Sequence, residues 1–382
     1  MKGRPSKLKI GIIRTSSIGD VVLASSCLSL LRYLKVEAEL VWIGRAPAIQ
    51  LLQAAYPELS CLEITKETKT REILDKLQDL SVLIDLQTNL RSRIITQTFK
   101  SRFKRPVLSC PKIHFQRNRL IWEGRLYGRR RPLPRRAMIA MKPQYRLMSD
   151  SLLTALQGLK VVKETVSIPK NEAAPHLQTE HALEAQSQHL QKLRANKWLA
   201  LAPGASYPTK QAPEAVFSEI LANLAEQVSS AGGTLPGLAF FGDAKDKVVC
   251  EELIRRVSWK APVLNFAGEL SLWENALALK ETVCLLSNDS SLGHIAEAVE
   301  TPTVILFGPT VEGFGFAPRK EESRAFSAPL GCRPCSKHGK SACRFGDKLC
   351  FDRIDRLEVA KYLATLITNR SFTNNKTAKT IP

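Results

Sequence analysis

Short apolar runs alternate with longer amphipathic stretches along almost the whole chain, a rhythm that predicts β-strands connected by helices. In the first half it predicts a strand at 8–13, a polar loop at 14–19, a helix at 20–33 and a strand at 38–43, then helices at 48–55 and 69–77 and a strand at 81–86. The rhythm fails between 102 and 148, where Lys and Arg crowd among Pro106, Pro111, Pro132, Pro134 and Pro143, and irregular loop and helix pieces at the edge of a first domain are expected there. A helix at 149–159 and a polar connection at 170–178 follow. The second half repeats the plan: helix 179–195, strand 198–202, helix 213–229, strand 238–241, helix 245–257, strand 263–266, helix 270–280, strand 283–286, a helix after Asp289, strand 303–307 and a last helix at 357–368. Such alternation argues for parallel sheets, and 382 residues exceed what one hydrophobic core usually serves. The expected architecture is α/β, with two doubly wound domains facing each other across a cleft. They span 1–178, with a basic insertion at about 100–148, and 179–368, ahead of a polar tail at 369–382 expected to be disordered.

Three polar loops stand at the carboxyl ends of second-half strands, which in open α/β sheets is where ligands bind. One runs from Asn288 through Asp289, Ser290, Ser291, Leu292 and Gly293 to His294 and opens a helix, whose first N–H groups lack partners and suit an anion. Asp289 or Ser290 could equally be a simple helix cap. A second loop is Phe307-Gly308-Pro309-Thr310. The third, at 202–210, holds Ser206 and Thr209 and ends in Lys210, a cation suited to a phosphate unless it is merely solvated.

Composition sharpens the picture where it is uneven. The chain is 44% hydrophobic and 24% charged, hence globular, and carries a formal charge of +20. Between Arg91 and Arg146, thirteen Arg and four Lys face one acid, Glu123, so this segment alone supplies +16. An anionic partner large enough to meet a surface is implied: nucleic acid, an acidic membrane leaflet or a phosphorylated glycolipid. Nucleic acid is disfavoured by the lack of zinc-finger spacing or an RNA-binding aromatic signature, with aromatic content at 7%. No apolar window reaches the length of a membrane span, and the apolar run behind the basic amino terminus is cut short by Arg14, as in a first strand and unlike a secretion signal. A cytoplasmic protein touching a membrane at most from its inner side is expected. Cys27, Cys61, Cys110, Cys250 and Cys284 are scattered and read as small core residues. Cys332, Cys335, Cys343 and Cys350 cluster, with two, seven and six residues between them. Reduced structural thiols and a small zinc site both stay open, since the second pair lacks zinc-ribbon spacing; disulfides fit a cytoplasmic chain least.

Taken in order, these loops resemble those of glycosyltransferase family 9, the ADP-heptose:lipopolysaccharide heptosyltransferases. The loop from Ile13 to Val22, with Ser17 and the Gly19-Asp20 pair, is similar to the family's amino-terminal loop, and the block Asp85-Leu86-Gln87-Thr88-Asn89-Leu90-Arg91-Ser92 to its second acceptor-side loop. The resemblance runs from about residue 8 to about 365 and includes the clustered cysteines. It implies a GT-B fold of two facing Rossmann-like domains, with acceptor on the first (Ser17, Gly19, Gln87, Asn89, Arg91) and nucleotide-sugar on the second. It also implies inversion at the anomeric carbon, no cofactor and no obligatory divalent metal.

The chemistry of the residues fits those implications. Inverting transfer needs one base at the acceptor hydroxyl, and Asp20 is the candidate, although an acid is also favoured at a helix start for its own sake. Lys210 and the turn from Ser290 to His294 would hold the leaving diphosphate, with Ser206 and Thr209 adding hydroxyls and Gly308, Pro309 and Thr310 closing the site. Asp289 would meet the transferred sugar or fix its loop; His294 would touch phosphate or pack beneath it. Asp246 occupies the position where the family tends to place a ribose-binding Glu, one methylene shorter here. The expected partners are ADP-heptose, an anionic glycolipid acceptor and the inner-membrane surface, without nucleic acid. A different nucleotide-sugar on the same fold, or a non-catalytic anion-binding relative, are the alternatives.

Overall fold

The structure, a computed structural model, describes residues 8–111, 114–133, 142–169, 172–182, 188–339 and 342–369. The described residues divide into two compact units, one drawn from 1–113 and 142–179, the other from 114–141 and 180–382. The tail at 370–382 lies outside the described residues.

The first unit is built on five strands: β1 (Leu8–Ile13), β2 (Ala38–Gly44), β3 (Ser60–Glu63), β4 (Val82–Asp85) and β5 (Val107–Ser109). They pair in the order β3-β2-β1-β4-β5, and every pair is parallel. Apolar continuity explains this choice. All four residues of β4 are buried, as expected of a strand covered by helices on both faces. Ile13, Ile43 and Leu83 share a core with Ile95 and Phe99 from the helix Leu90–Phe103. The order reverses between β1 and β4, so the loops after these two strands open on the same edge.

Six strands form the second sheet: β6 (Trp198–Ala202), β7 (Gly237–Phe240), β8 (Val263–Asn265), β9 (Cys284–Asn288), β10 (Thr303–Phe307) and β11 (Arg324–Ser327). The order is β11-β10-β9-β6-β7-β8, again all parallel. Here β6, β9 and β10 are buried at every position, and Leu199, Leu201, Leu286 and Leu306 pack against Phe217 and Leu221 of the helix Glu214–Ser230 and Leu363 of the helix Arg356–Asn369. Reversal falls between β6 and β9, and that reversal point sets the candidate site.

Four expectations change. The helix expected at 20–33 is two, Ile18–Ala24 and Ser26–Tyr33, because Ser25 between them turns its hydroxyl onto backbone: Oγ donates to Val22 O at 2.7 Å and accepts the N–H of His176 at 3.1 Å. The helix expected at 179–195 is a 3-10 turn, Glu180–Ala182, and a helix, Gln188–Arg194, with 183–187 outside the described residues. The carboxyl-terminal part of the expected loop region is helical from Gln144 to Gly158, five residues earlier than expected. Finally, the basic region divides. Its helix His114–Tyr127 belongs to the second unit and not to the edge of the first, because Leu120 and Leu133 pack with Val311 and Phe314, and Arg117 donates to Phe314 O at 2.8 Å.

Candidate functional site

Three loops meet at the carboxyl edge of the second sheet because β9 pairs with both β6 and β10. Asp289, the first residue past β9, sits at their junction. Its Oδ2 takes an ion pair from Lys210 Nζ at 2.5 Å and a hydrogen bond from Thr310 Oγ1 at 2.7 Å. Burial pushes the Asp289 carboxyl up, but Lys210, the Thr310 hydroxyl and nearby His294 outweigh it and hold the group below its ordinary 3.8. Asn288 fastens the same loops through backbone: its Nδ2 donates to Pro203 O at 2.6 Å and its Oδ1 accepts the N–H of Ala212 at 3.2 Å.

Past Asp289 the helix Ser291–Ala298 begins with Ser290 as N-cap, extended in backbone, yet the Ser290 side chain makes no capping bond and its buried Oγ has no partner among the described residues. The first-turn N–H groups therefore keep their affinity for an anion. Gly293 lies against Ile305, where an added Cβ would come within 3.0 Å of Cδ1, so the helix start packs directly on β10. Leu292 is half-buried. The His294 ring lies 6.0 Å from that of Phe316.

The expected ribose contact, Asp246, is placed differently from the other three loops. Its carboxylate fills the space over Gly204 and Gly242, where any Cβ would collide with it, and Oδ2 accepts the N–H of Asp243 at 3.0 Å. Burial raises its pKa against that hydrogen bond. Asp246 thus joins the turns after β6 and β7, which is why both need glycine. Ser206 is exposed on the loop ahead of Lys210.

What reasoning from sequence overlooked is Arg333. The side chain is wholly buried, and its guanidinium donates to three carbonyls: Gly308 at 2.5 Å, Thr310 at 2.7 Å and Ala328. Burial lowers its pKa and Glu312 counters this. Cys335 N–H adds a bond to Pro309 O at 2.9 Å, and Gly339 O accepts Thr209 Oγ1. The cysteine-bearing segment therefore braces both the 308–310 loop and the end of the 203–210 loop. The nine cysteines, all among the described residues, form no disulfide. A hydrogen bond from Cys335, with Arg129 alongside, brings Cys332 down to about 6. Among the described residues no group of three or more His, Cys, Asp or Glu side chains is placed to hold a metal ion.

In the first unit the loops after β1 and β4 are tied to each other. Gln87 Oε1 accepts the N–H groups of Thr15 at 2.9 Å and Ser16 at 3.1 Å. Asp20 stands in the first turn of the helix Ile18–Ala24, where Gly19 is buried, and its Oδ2 receives Arg14 NH2 at 2.7 Å, Ser17 Oγ at 3.1 Å and Ser17 N–H at 3.2 Å. Burial raises the Asp20 carboxyl, whereas Arg14 and Ser17 together lower it further, so it is held ionised. The two remaining acceptor-side candidates are committed elsewhere. Asn89 caps the helix Leu90–Phe103 by accepting Ser92 N–H at 2.9 Å, and Arg91 donates to Thr65 O and Thr68 O, each at 2.5 Å. Fully buried Asp85 shapes this turn, accepting Gln87 N–H, Thr88 N–H and Ser92 Oγ between 2.7 and 2.9 Å.

A model of glycosyltransferase family 9 (heptosyltransferase) matches residues 138–344, more than half of the chain. The chain belongs to glycosyltransferase family 9. Within that family it is 24% identical over 303 residues to lipopolysaccharide heptosyltransferase 2 of Escherichia coli K12, covering 72% of this chain and 82% of that one. It is 29% identical over 179 residues to lipooligosaccharide heptosyltransferase 2 of Haemophilus influenzae, covering 45% and 49% of the two chains. The chain thus spans about half the length of that second relative. In three dimensions it superposes on the Escherichia coli ADP-heptose lipopolysaccharide heptosyltransferase II with a TM-score of 0.62 at 17% identity, over 95% of this chain and all of that one. The fold is GT-B, with two Rossmann-like domains.

Proposed function

We propose that this family 9 member is an inverting heptosyltransferase that moves heptose from ADP-heptose to an inner-core lipopolysaccharide acceptor, working peripherally at the inner face of the cytoplasmic membrane. The observation that carries the reading is the Lys210–Asp289–Thr310 junction at the reversal point of the second sheet, beside an uncapped helix start. An ammonium has three N–H donors, and Asp289 takes one in the contact seen. Asp289 thereby aims Lys210, and its other donors meet the diphosphate along with the N–H groups of the first turn after Ser290.

In the proposed step the acceptor oxygen attacks the anomeric carbon from the face opposite the diphosphate, and its proton passes to the Asp20 carboxylate. The bond between the anomeric carbon and the diphosphate oxygen breaks, and the electron pair leaves on ADP. Charge developing on that oxygen meets Lys210 and fixed backbone dipoles, which need no reorganisation during reaction. These protein cations take the place a divalent metal would fill, so turnover is expected to survive EDTA. Gln87 positions the base loop through its bonds to Thr15 and Ser16.

Incubating the purified chain with inner-core acceptor and ADP-heptose, a UDP-sugar or a GDP-sugar in parallel identifies the donor by the diphosphate released. Acceptor-dependent ADP release supports the proposal; UDP or GDP release replaces the donor while keeping the fold's chemistry. Failure with every donor, together with salt-sensitive DNA retention that survives Asp20→Asn, favours a non-catalytic anion binder.

A further inference from the structure

The helix His114–Tyr127 carries apolar side chains on two opposite sides. Inward, Leu120 is buried and Gly124 approaches the carbonyls of Cys332, Arg333 and Pro334, an added Cβ coming within 3.0 to 3.2 Å of them. Outward, Phe115 is 81% exposed, Trp122 64% and Leu126 61%. At about 100° a residue these three and Arg119 fall within roughly 60° of one another, diametrically across from the packed face. Folding of the second unit therefore does not account for the stripe, since the helix already spends its other side on that.

We propose that this outer stripe docks the protein on an anionic phospholipid bilayer, with Phe115, Trp122 and Leu126 entering the headgroup boundary and Arg119 and Arg125 facing lipid phosphates. The occupant follows from charge. Arg119 is 61% exposed and Arg125 is exposed, within a stretch of the second unit, 114–133, whose sequence holds six arginines and one acid. The one acid, Glu123, is buried and pairs with Arg119 at 3.1 Å, so it offers no negative surface. A second copy of this chain would bring a like-charged face against it, and large aromatics among arginines match a lipid interface better than a polyanion groove. This rests on the reading of the acceptor as a membrane glycolipid, and it names the element that brings the protein to it.

The test is flotation of the full chain with neutral phosphatidylcholine vesicles and with vesicles containing one quarter phosphatidylglycerol. Wild type is expected to bind the anionic vesicles, with partitioning at least about tenfold stronger than to neutral ones and weakened by salt. A Phe115→Ser/Trp122→Ser/Leu126→Ser variant of unchanged Tm should lose about tenfold or more of that binding. Arg119→Gln/Arg125→Gln should lose the preference for anionic lipid. Equal vesicle binding by the triple variant overturns the proposal, as does a wild-type dimer that the triple variant dissolves. Sugar transfer to a water-soluble, delipidated acceptor is measured beside it. Lost vesicle binding with intact transfer to that acceptor supports docking by the stripe. Stripe-dependent vesicle binding without transfer to any acceptor leaves docking standing and removes the transferase reading.

Discussion

Asp20 is a carboxylate on which burial and charge act in opposite directions. Burial would protonate it; Arg14 and the Ser17 donors keep it ionised, with a pKa below 3.8. Because the folded value is the lower one, the pairing contributes stability fully above the unfolded value and loses it as pH falls through the folded one. Activity that needs the ionised form should hold to the acid side of the usual carboxylate range. Arg14→Ala removes the strongest lowering influence, so the acid limb of the kcat/KM profile is expected to move to higher pH, while Asp20→Asn should remove that limb from the residual activity. Lys210→Ala is a second residue-scale test: losing one preorganised donor costs ~2.7 to 4 kcal/mol of barrier, hence about two to three orders of magnitude in turnover. Unchanged single-turnover rates would remove Lys210 from the chemistry. Both residues stand out in the sequence as candidates because they lie in loops after strands. That Lys210 and Asp289 bond to each other was not, since two separately read loops meet only through the pairing of β6 with β9.

Among the elements, the cysteine-bearing segment has the least obvious purpose in sequence and the clearest in structure. Its spacing draws attention to thiols, yet the residue between the first pair, Arg333, is the one whose guanidinium gathers the carbonyls of Gly308, Thr310 and Ala328. A buried arginine leaves no periodic trace in a single sequence, which is why it escaped notice. Arg333→Met keeps bulk but strands those carbonyls, and a loss on the order of 3 kcal/mol is expected, read as a lower Tm with a raised KM for the donor. A variant as stable as wild type would show the brace to be dispensable. The strands β3, β5 and β11, edge strands of three or four residues with at most one buried position each, also escaped. The helix Leu90–Phe103 was hidden by its charge, although Asn89 and Ser92 cap it at one end.

For the whole molecule, strand alternation announced two parallel sheets and the order of loops announced the family. Where the chain divides was harder to read, because residues 114–133 pass to the second unit through a few apolar contacts, Leu120 and Leu133 on Val311 and Phe314, that no local pattern marks. A formal charge of +20 belongs to this scale as well, since it acts on association with anionic partners and not on the fold. Heptosyl transfer with Asp20 as base is tested by acceptor-dependent release of ADP from ADP-heptose, compared between wild type and Asp20→Asn at saturating donor. Wild type is expected to release ADP, with a fall of about 10² to 10⁴ in turnover for the variant, as expected for loss of a general base. Equal turnover by the two proteins would contradict that role.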